Sequence, residues 1–380
     1  MFESFLSLVK ELYPNKKNIP LHEPSFSSNE RKYVEEAISS TFVSSVGQHV
    51  NQFEEKIAEY IGVKHAIATV NGTSALHASL VIMGVERGDE VLTQSLNFVA
   101  SCNAIKYCNA DPIFIDVATN SLGMCPKSLE RYLDNNAIMR KGRAYNKITN
   151  KLIKACLPMH TFGFPVDIVS IQSICKKWNI SLIEDAAEGL GSFCNGRHVG
   201  TFGDIGILSF NGNKVITTGG GGMILTDSDI LAKQLKHITT TAKVGHKWNF
   251  YHDILGYNYR MPNINAALGL GQLEGLDRKL SSKRNIFNKY KTWSDMNGQY
   301  LFNCSENSDP NFWLNTLILD DADHKEAFLE YTNKNKIATR PAWIPMHHLP
   351  MYKGYVSDSL INTDYLFDRL VNIPSSPILG

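Results

Sequence analysis

The sequence predicts an α/β fold, with a seven-stranded, mostly parallel sheet in a large first domain and a smaller α+β domain after it. Three observations carry this. Seven short apolar stretches recur between residues 65 and 227, segments of helical spacing lie between most of them, and the texture changes beyond that point. The opening MFESFLSLVKELY is an amphipathic helix, with Glu3 and Glu11 inside its apolar pattern, and is placed with the first domain. HAIATV (65–70), EVLTQ (90–94), PIFIDV (112–117), KACLPM (154–159), SLIED (181–185), IGILSF (205–210) and GMILTD (222–227) are the strands. Several are nearly continuous apolar runs, as expected where a strand is covered on both faces. SALHASLVIMG (74–84), FVASCNAIKYC (98–108), SLERYLDNN (128–136) and DIVSIQSICKKW (167–178) have helical spacing, and this alternation implies a parallel sheet. RKGRAYNKITNKLIK (140–154) is basic and polar, a solvated β-excursion. After 227, LAKQLKHITTTA is helical, 263–293 is a long helix interrupted by glycines, NFWLNTLIL is a strand, HKEAFLEYTNKN a helix and IATRPAW a short strand. The boundary falls near 275, giving domains 1–275 and 276–380.

Composition narrows the function. Lys and Arg total 38 against 37 Asp and Glu, a net charge of +1, which argues against a nucleic-acid groove or a polybasic membrane surface. The seven cysteines have no C-x-x-C spacing, so neither a zinc ribbon nor a redox pair is expected, and their odd, scattered placement fits a reducing cytoplasm. No basic n-region opens the chain and no run of 18 apolar residues occurs, so neither a secretory signal nor a membrane span is expected. G-x-G-x-x-G after a strand, the P-loop, H-E-x-x-H and G-x-S-x-G are all absent.

Three segments remain as carriers of chemistry. In SLIEDAAEGLGS, Asp185 ends a strand, where it either meets a cationic ring nitrogen or caps a following helix. In ILSFNGNKVITTGGGGMILTD, Ser209 closes a strand and Lys214 follows in a polar turn, either a desolvated nucleophilic amine or a solvated lysine. In VNGTSALHASL, Gly72, Thr73 and Ser74 open a helix, either as a phosphate cradle or as an ordinary cap. Singly, the ordinary reading of each is the commoner one. Together they supply a phosphate cradle, a carboxylate for a ring nitrogen and an amine for an aldehyde, which are the protein-side requirements of pyridoxal 5′-phosphate (PLP).

From IPLHEP (19–24) to NIPSS (372–376), the sequence resembles the sugar-nucleotide aminotransferases of the DegT/DnrJ/EryC1/StrS family, within fold-type-I PLP-dependent transferases. The carrying stretches include FVSSVGQHVNQFEE, ATVNGTSALHASL, GDEVLTQSLNFVAS, PMHTFGFPVD, IEDAAEGLGS, GTFGDIGILSFNGNK, ITTGGGGMILTD and GYNYRMPNINAALG. The resemblance implies that Lys214 binds the cofactor aldehyde, Asp185 its ring nitrogen, and Gly72, Thr73, Ser74 and Ser209 its phosphate. Phe98 would stack on the ring. Glu188 stands where relatives often carry Gln or His near the ring hydroxyl, and an ionised Glu can only accept there. Asn258 would reach the partner subunit's cofactor phosphate, which implies a homodimer with shared sites. His160, Arg260 and His347 are substrate candidates. For His160 a packed, hydrogen-bonded role is an equal alternative. For His347 and His348 a surface loop is, and the pair lacks partners at metal-ligand spacing, so no metal is expected.

VSSVGQHV, SFNGNKVITTGGGG and TRPAWIPMHHLPMY resemble the legionaminic acid and bacillosamine aminotransferases. This implies transfer of an amino group from L-glutamate to C4 of a UDP-linked 2-acetamido-2,6-dideoxy-4-ketohexose. The alternative substrate is a non-acetamido GDP- or dTDP-4-keto-6-deoxyhexose, of perosamine or viosamine type. A C3 dehydratase on the same scaffold would carry His where Lys214 stands, and a non-catalytic binding protein would be expected to lose the lysine or the carboxylate.

Overall fold

The computed structural model describes residues 1–26 and 28–379. Seven strands form the large sheet: β1 (His65–Thr69), β2 (Glu90–Gln94), β3 (Asp111–Ile115), β4 (Ile153–Leu157), β5 (Ser181–Asp185), β6 (Ile205–Ser209) and β7 (Gly222–Thr226). Their order is β1-β7-β6-β5-β4-β2-β3. β7 runs antiparallel to both neighbours, with Ile67 opposite Ile224 and Ile207 opposite Ile224, and every other pairing is parallel. The sheet is therefore mostly parallel, as the apolar runs predict.

Alternate residues of each strand enter different apolar clusters. Ile67, Val91, Leu157, Ile183 and Ile207 pack beneath α4 (Gly72–Ile82), α5 (Val99–Tyr107) and α8 (Asp229–Thr239). Ala68, Leu92, Cys156, Leu182 and Leu208 face the side holding α3 (Gln48–Ile61), α6 (Pro126–Asn136) and α7 (Ile168–Trp178). The segment 140–154 supplies a two-stranded hairpin, Ala137–Arg140 with Arg143–Asn146, that leads into β4.

The long helix after 263 is two helices, α9 (Asn263–Glu274) and α10 (Leu276–Met296), broken at Gly275. Beyond the break, β8 (Tyr300–Leu301), β9 (Asn315–Ile318), β10 (Arg340–Pro341) and β11 (Leu370–Ile373) form a sheet ordered β8-β9-β11-β10, with α11 (Ala322–Lys334) and α12 (Ile361–Phe367). The apolar cluster of the α3/α6/α7 face continues into this part through Ile286, Phe302, Leu317 and Ile373, so the two parts share a core.

The N-terminal helix corrects the expected domain assignment. α1 (Phe2–Leu12) packs on the C-terminal part: Phe5 meets Tyr290, Trp293 and Phe328 at ring separations of 5.0–6.1 Å. Tyr13 Oη donates to the Ser376 carbonyl at 2.9 Å, and Ile19 bridges Ile337. Both faces of the large sheet already carry helices, so the apolar stripe of Phe5, Val9 and Leu12 finds its partner on α10 and α11. Among the described residues all seven cysteines are free, and no helix is long and apolar enough to cross a membrane.

Candidate active site

The site lies where parallel strands end. β1, β2, β5 and β6 point the same way, so Asn71–Ser74, Ser95–Phe98, Asp185 and Ser209 leave the sheet on one edge. That edge is where ligands of open α/β sheets collect.

α4 begins directly after β1. Asn71 is its N-cap, with its Oδ1 accepting the Ser74 N–H at 2.7 Å. The N–H groups of Gly72 and Thr73 lie in the first turn, where no carbonyl of the helix reaches them, and they favour an anion. The cap and the cradle are thus one structure. Gly72 rests on Ser209, since a Cβ at Gly72 would lie 3.2 Å from Ser209 Cβ. Gly222 opens β7, and a Cβ there would lie 2.6 Å from the Asn71 carbonyl group and 2.7 Å from Gly72 N. Only glycine lets β7 approach the cradle this closely.

Asp185 caps no helix, because a turn follows it. Its side chain is 3 % exposed. Oδ2 accepts from Ser101 Oγ at 2.6 Å, and Oδ1 accepts from the Ala187 N–H at 3.1 Å. Burial raises its pKa, while Ser101, Ala187 and the nearby Lys214 oppose the rise. A cationic ring nitrogen would supply the counter-charge that this carboxylate otherwise draws from two neutral donors. Its neighbour Glu184 serves the fold: its carboxylate accepts from the N–H groups of Gly200, Phe202 and Gly203 at 2.8, 2.5 and 2.7 Å.

Lys214 is held rather than solvated. Its side chain is 14 % exposed, with Nζ 3.0 Å from Glu188 Oε1 and 4.0 Å from the Trp313 ring centroid. Trp313 is fixed in turn by Nε1–H donation to the Asn213 carbonyl at 2.7 Å. Glu188 is buried, its Oε2 accepts the Phe162 N–H at 2.8 Å, and burial pushes its pKa up to about 7 against the pull of Lys214. Phe98, the N-cap of α5, keeps 47 % of its surface exposed beside Trp343, whose ring centroid is 5.9 Å away. Ser101 and Trp313 escaped the sequence reading. Ser101 follows Phe98 by three residues on α5, a spacing that shares a face; nothing local marks Trp313.

His160 is fully buried: Nδ1 accepts the Val166 N–H at 3.2 Å, so Nε2 carries the proton and donates to Glu184 Oε2 at 3.1 Å. Both ring nitrogens are thus occupied within the chain. Asn258 is exposed and bridges Thr240. Arg260 bridges Thr69 at the end of β1, and its Nε is buried without a hydrogen-bond partner among the described residues. His347 hydrogen-bonds through Nδ1 to Ser95 Oγ at 2.7 Å, which places it at the same strand-end edge. Asp364, on α12, brings its Oδ1 within 3.2 and 3.4 Å of the Nε2 atoms of His347 and His348, a neighbour that spacing along the chain does not show.

Residues 24–380 match the family model of the DegT/DnrJ/EryC1/StrS aminotransferases. The chain belongs to that family. It is 39 % identical over 366 residues to GDP-perosamine synthase of Escherichia coli O157:H7, covering 96 % of this chain and 95 % of the relative. It is 36 % identical to GDP-perosamine synthase of Vibrio cholerae over 364 residues, covering 94 % of each. Among solved structures it is similar to a DegT DnrJ EryC1 StrS aminotransferase from Brucella abortus, at a TM-score of 0.83 and 25 % identity, covering 93 % of this chain and 91 % of that one. The protein is a PLP-dependent sugar-nucleotide aminotransferase. The residues present fit that cofactor: the helix start at Gly72–Ser74 that Gly222 packs against without a Cβ, the buried carboxylate of Asp185 and the confined amine of Lys214.

Proposed function

We propose that this aminotransferase moves an amino group from L-glutamate to C4 of a GDP-linked 4-keto-6-deoxyhexose, giving a perosamine-type 4-amino-4,6-dideoxy sugar. The observation that carries the chemistry is the confinement of the Lys214 amine between Glu188 and Trp313, on the same edge as the buried Asp185. The names of the two curated relatives support the perosamine-type alternative over the 2-acetamido substrate that the motifs alone imply.

When bound, PLP supplies a conjugated cationic ring that takes up the electron pair left on the donor Cα. Lys214 would hold the cofactor aldehyde and would supply the amine that moves a proton at the donor Cα. Glu188, 3.0 Å away, is placed to hold or release a proton at the Lys214 Nζ. Asp185, fixed by Ser101 and Ala187, keeps the ring nitrogen protonated. Gly72, Thr73, Ser74 and Ser209 bind the phosphate, and Phe98 offers its ring face. In a homodimer, the exposed Asn258 would complete the partner's cradle.

The test supplies glutamate with GDP-4-keto-6-deoxymannose or with a UDP-linked 2-acetamido-2,6-dideoxy-4-ketohexose and identifies products by NMR. Amination of the GDP sugar is expected. Amination of the acetamido sugar alone would overturn the substrate while leaving the family intact.

A further inference from the structure

His347, His348 and Asp364 converge beside Ser95 at the strand-end edge. The two imidazole Nε2 atoms lie 3.2 and 3.4 Å from Asp364 Oδ1, and all three donor atoms fall within 4.8 Å of one another. A tetrahedral ion with ligand bonds of about 2.0–2.1 Å sets its ligands about 3.3 Å apart, so two of the three edges already have the required length. Asp364 Oδ1 is shielded from solvent yet accepts no well-formed hydrogen bond among the described residues. The rings themselves stand 4.0 Å apart and 57° from parallel, a poor stacking geometry.

The surroundings resemble the outer shell of a metal centre. Ser95 Oγ lies 2.7 Å from His347 Nδ1 and also accepts the His347 backbone N–H at 3.2 Å. Ser95 thus orients the His347 ring toward Asp364, as outer-shell groups orient metal-ligating histidines. Asp116 anchors the carboxylate's own segment, accepting the N–H groups of Asn362 and Thr363 at 3.0 and 2.8 Å and the Thr363 hydroxyl at 2.8 Å. His348 and Asp364 keep 43 % and 49 % of their side chains exposed, so an ion has a path in and positions remain open to water.

We infer that His347, His348 and Asp364 form a binding site for one divalent transition-metal ion of the Zn²⁺ class. The two imidazoles and one carboxylate favour zinc over magnesium or calcium, which take oxygen ligands. Because His347 is tied to Ser95 and Asp364 sits on α12, a bound ion would fasten α12 to the His347 segment that already contacts the loop leading to Phe98.

The test uses untagged holoenzyme dialysed against Zn²⁺ or Mg²⁺ and assayed for metal content and thermal stability. One Zn²⁺ per chain and a rise in Tm are expected, with Mg²⁺ giving neither. Asp364→Asn and His348→Leu should each abolish both effects, and Ser95→Ala should weaken Zn²⁺ binding by about tenfold. His348→Leu changes a partly exposed ring and guards against a variant that fails to fold. If the wild type retains no Zn²⁺, or if both ligand variants retain as much as the wild type, the inference is overturned.

Discussion

Replacing Glu188 by Gln gives the sharpest physical test of the site's electrostatics. Burial raises the Glu188 pKa from the usual 4.5 to about 7, even with Lys214 Nζ 3.0 Å away. The native state therefore holds a proton that the unfolded chain releases between about pH 4.5 and 7, and stability falls as pH rises through that window. The full displacement corresponds to about 3 kcal/mol, as an upper bound. Protonated Glu and Gln are close in shape and charge, and either presents one acceptor to the Phe162 N–H. The cofactor-free wild type and Glu188→Gln should thus have similar stability near pH 5, and the variant should become the more stable of the two by up to about 3 kcal/mol near pH 8. Urea unfolding, followed by tryptophan fluorescence across that range at fixed protein concentration, measures the difference. A gap that does not change with pH would refute the raised pKa and the burial argument behind it.

Other substitutions separate the roles of the remaining residues. Gly222→Ala places a Cβ 2.6 Å from the Asn71 carbonyl group, and a tenfold or greater rise in the Kd for PLP, about 1.4 kcal/mol, should appear in cofactor titrations. Asp185→Asn removes the charge facing the ring nitrogen while keeping a group that Ser101 can hydrogen-bond, and kcat should fall by about 100-fold with the cofactor still bound. His160→Ala takes one donor from the buried Glu184, and unfolding measurements should show a loss of about 1–3 kcal/mol with KM for the sugar nucleotide unchanged. A selective rise in that KM would return His160 to the substrate site.

Most of the sheet was legible because burial on both faces forces apolar runs, and those runs end within two residues of the ends of β1 to β7. Lys214, Asp185 and the Gly72–Ser74 turn were legible because strand ends and helix starts carry short-range signals. What stayed hidden is non-local. The seat of α1 depends on which apolar surface remains after the sheet is covered, and that surface is made by Tyr290, Trp293 and Phe328, far along the chain. His160 has the same polar signature whether it meets a substrate or Glu184, and only the fold brings Glu184 to it. Trp313 and Asp364 reach Lys214 and His347 through tertiary contacts that no spacing rule encodes. Glu184 and Asp185 are adjacent acids, yet strand alternation sends one to the Gly200–Gly203 turn and the other to the site.

The covalent role of Lys214 is open to direct measurement. Holoenzyme reduced with borohydride and digested with protease should yield a single peptide bearing the reduced pyridoxyl phosphate mass, with the modification at Lys214. An adduct at any other lysine, or a bound cofactor that forms no adduct, would contradict the assignment.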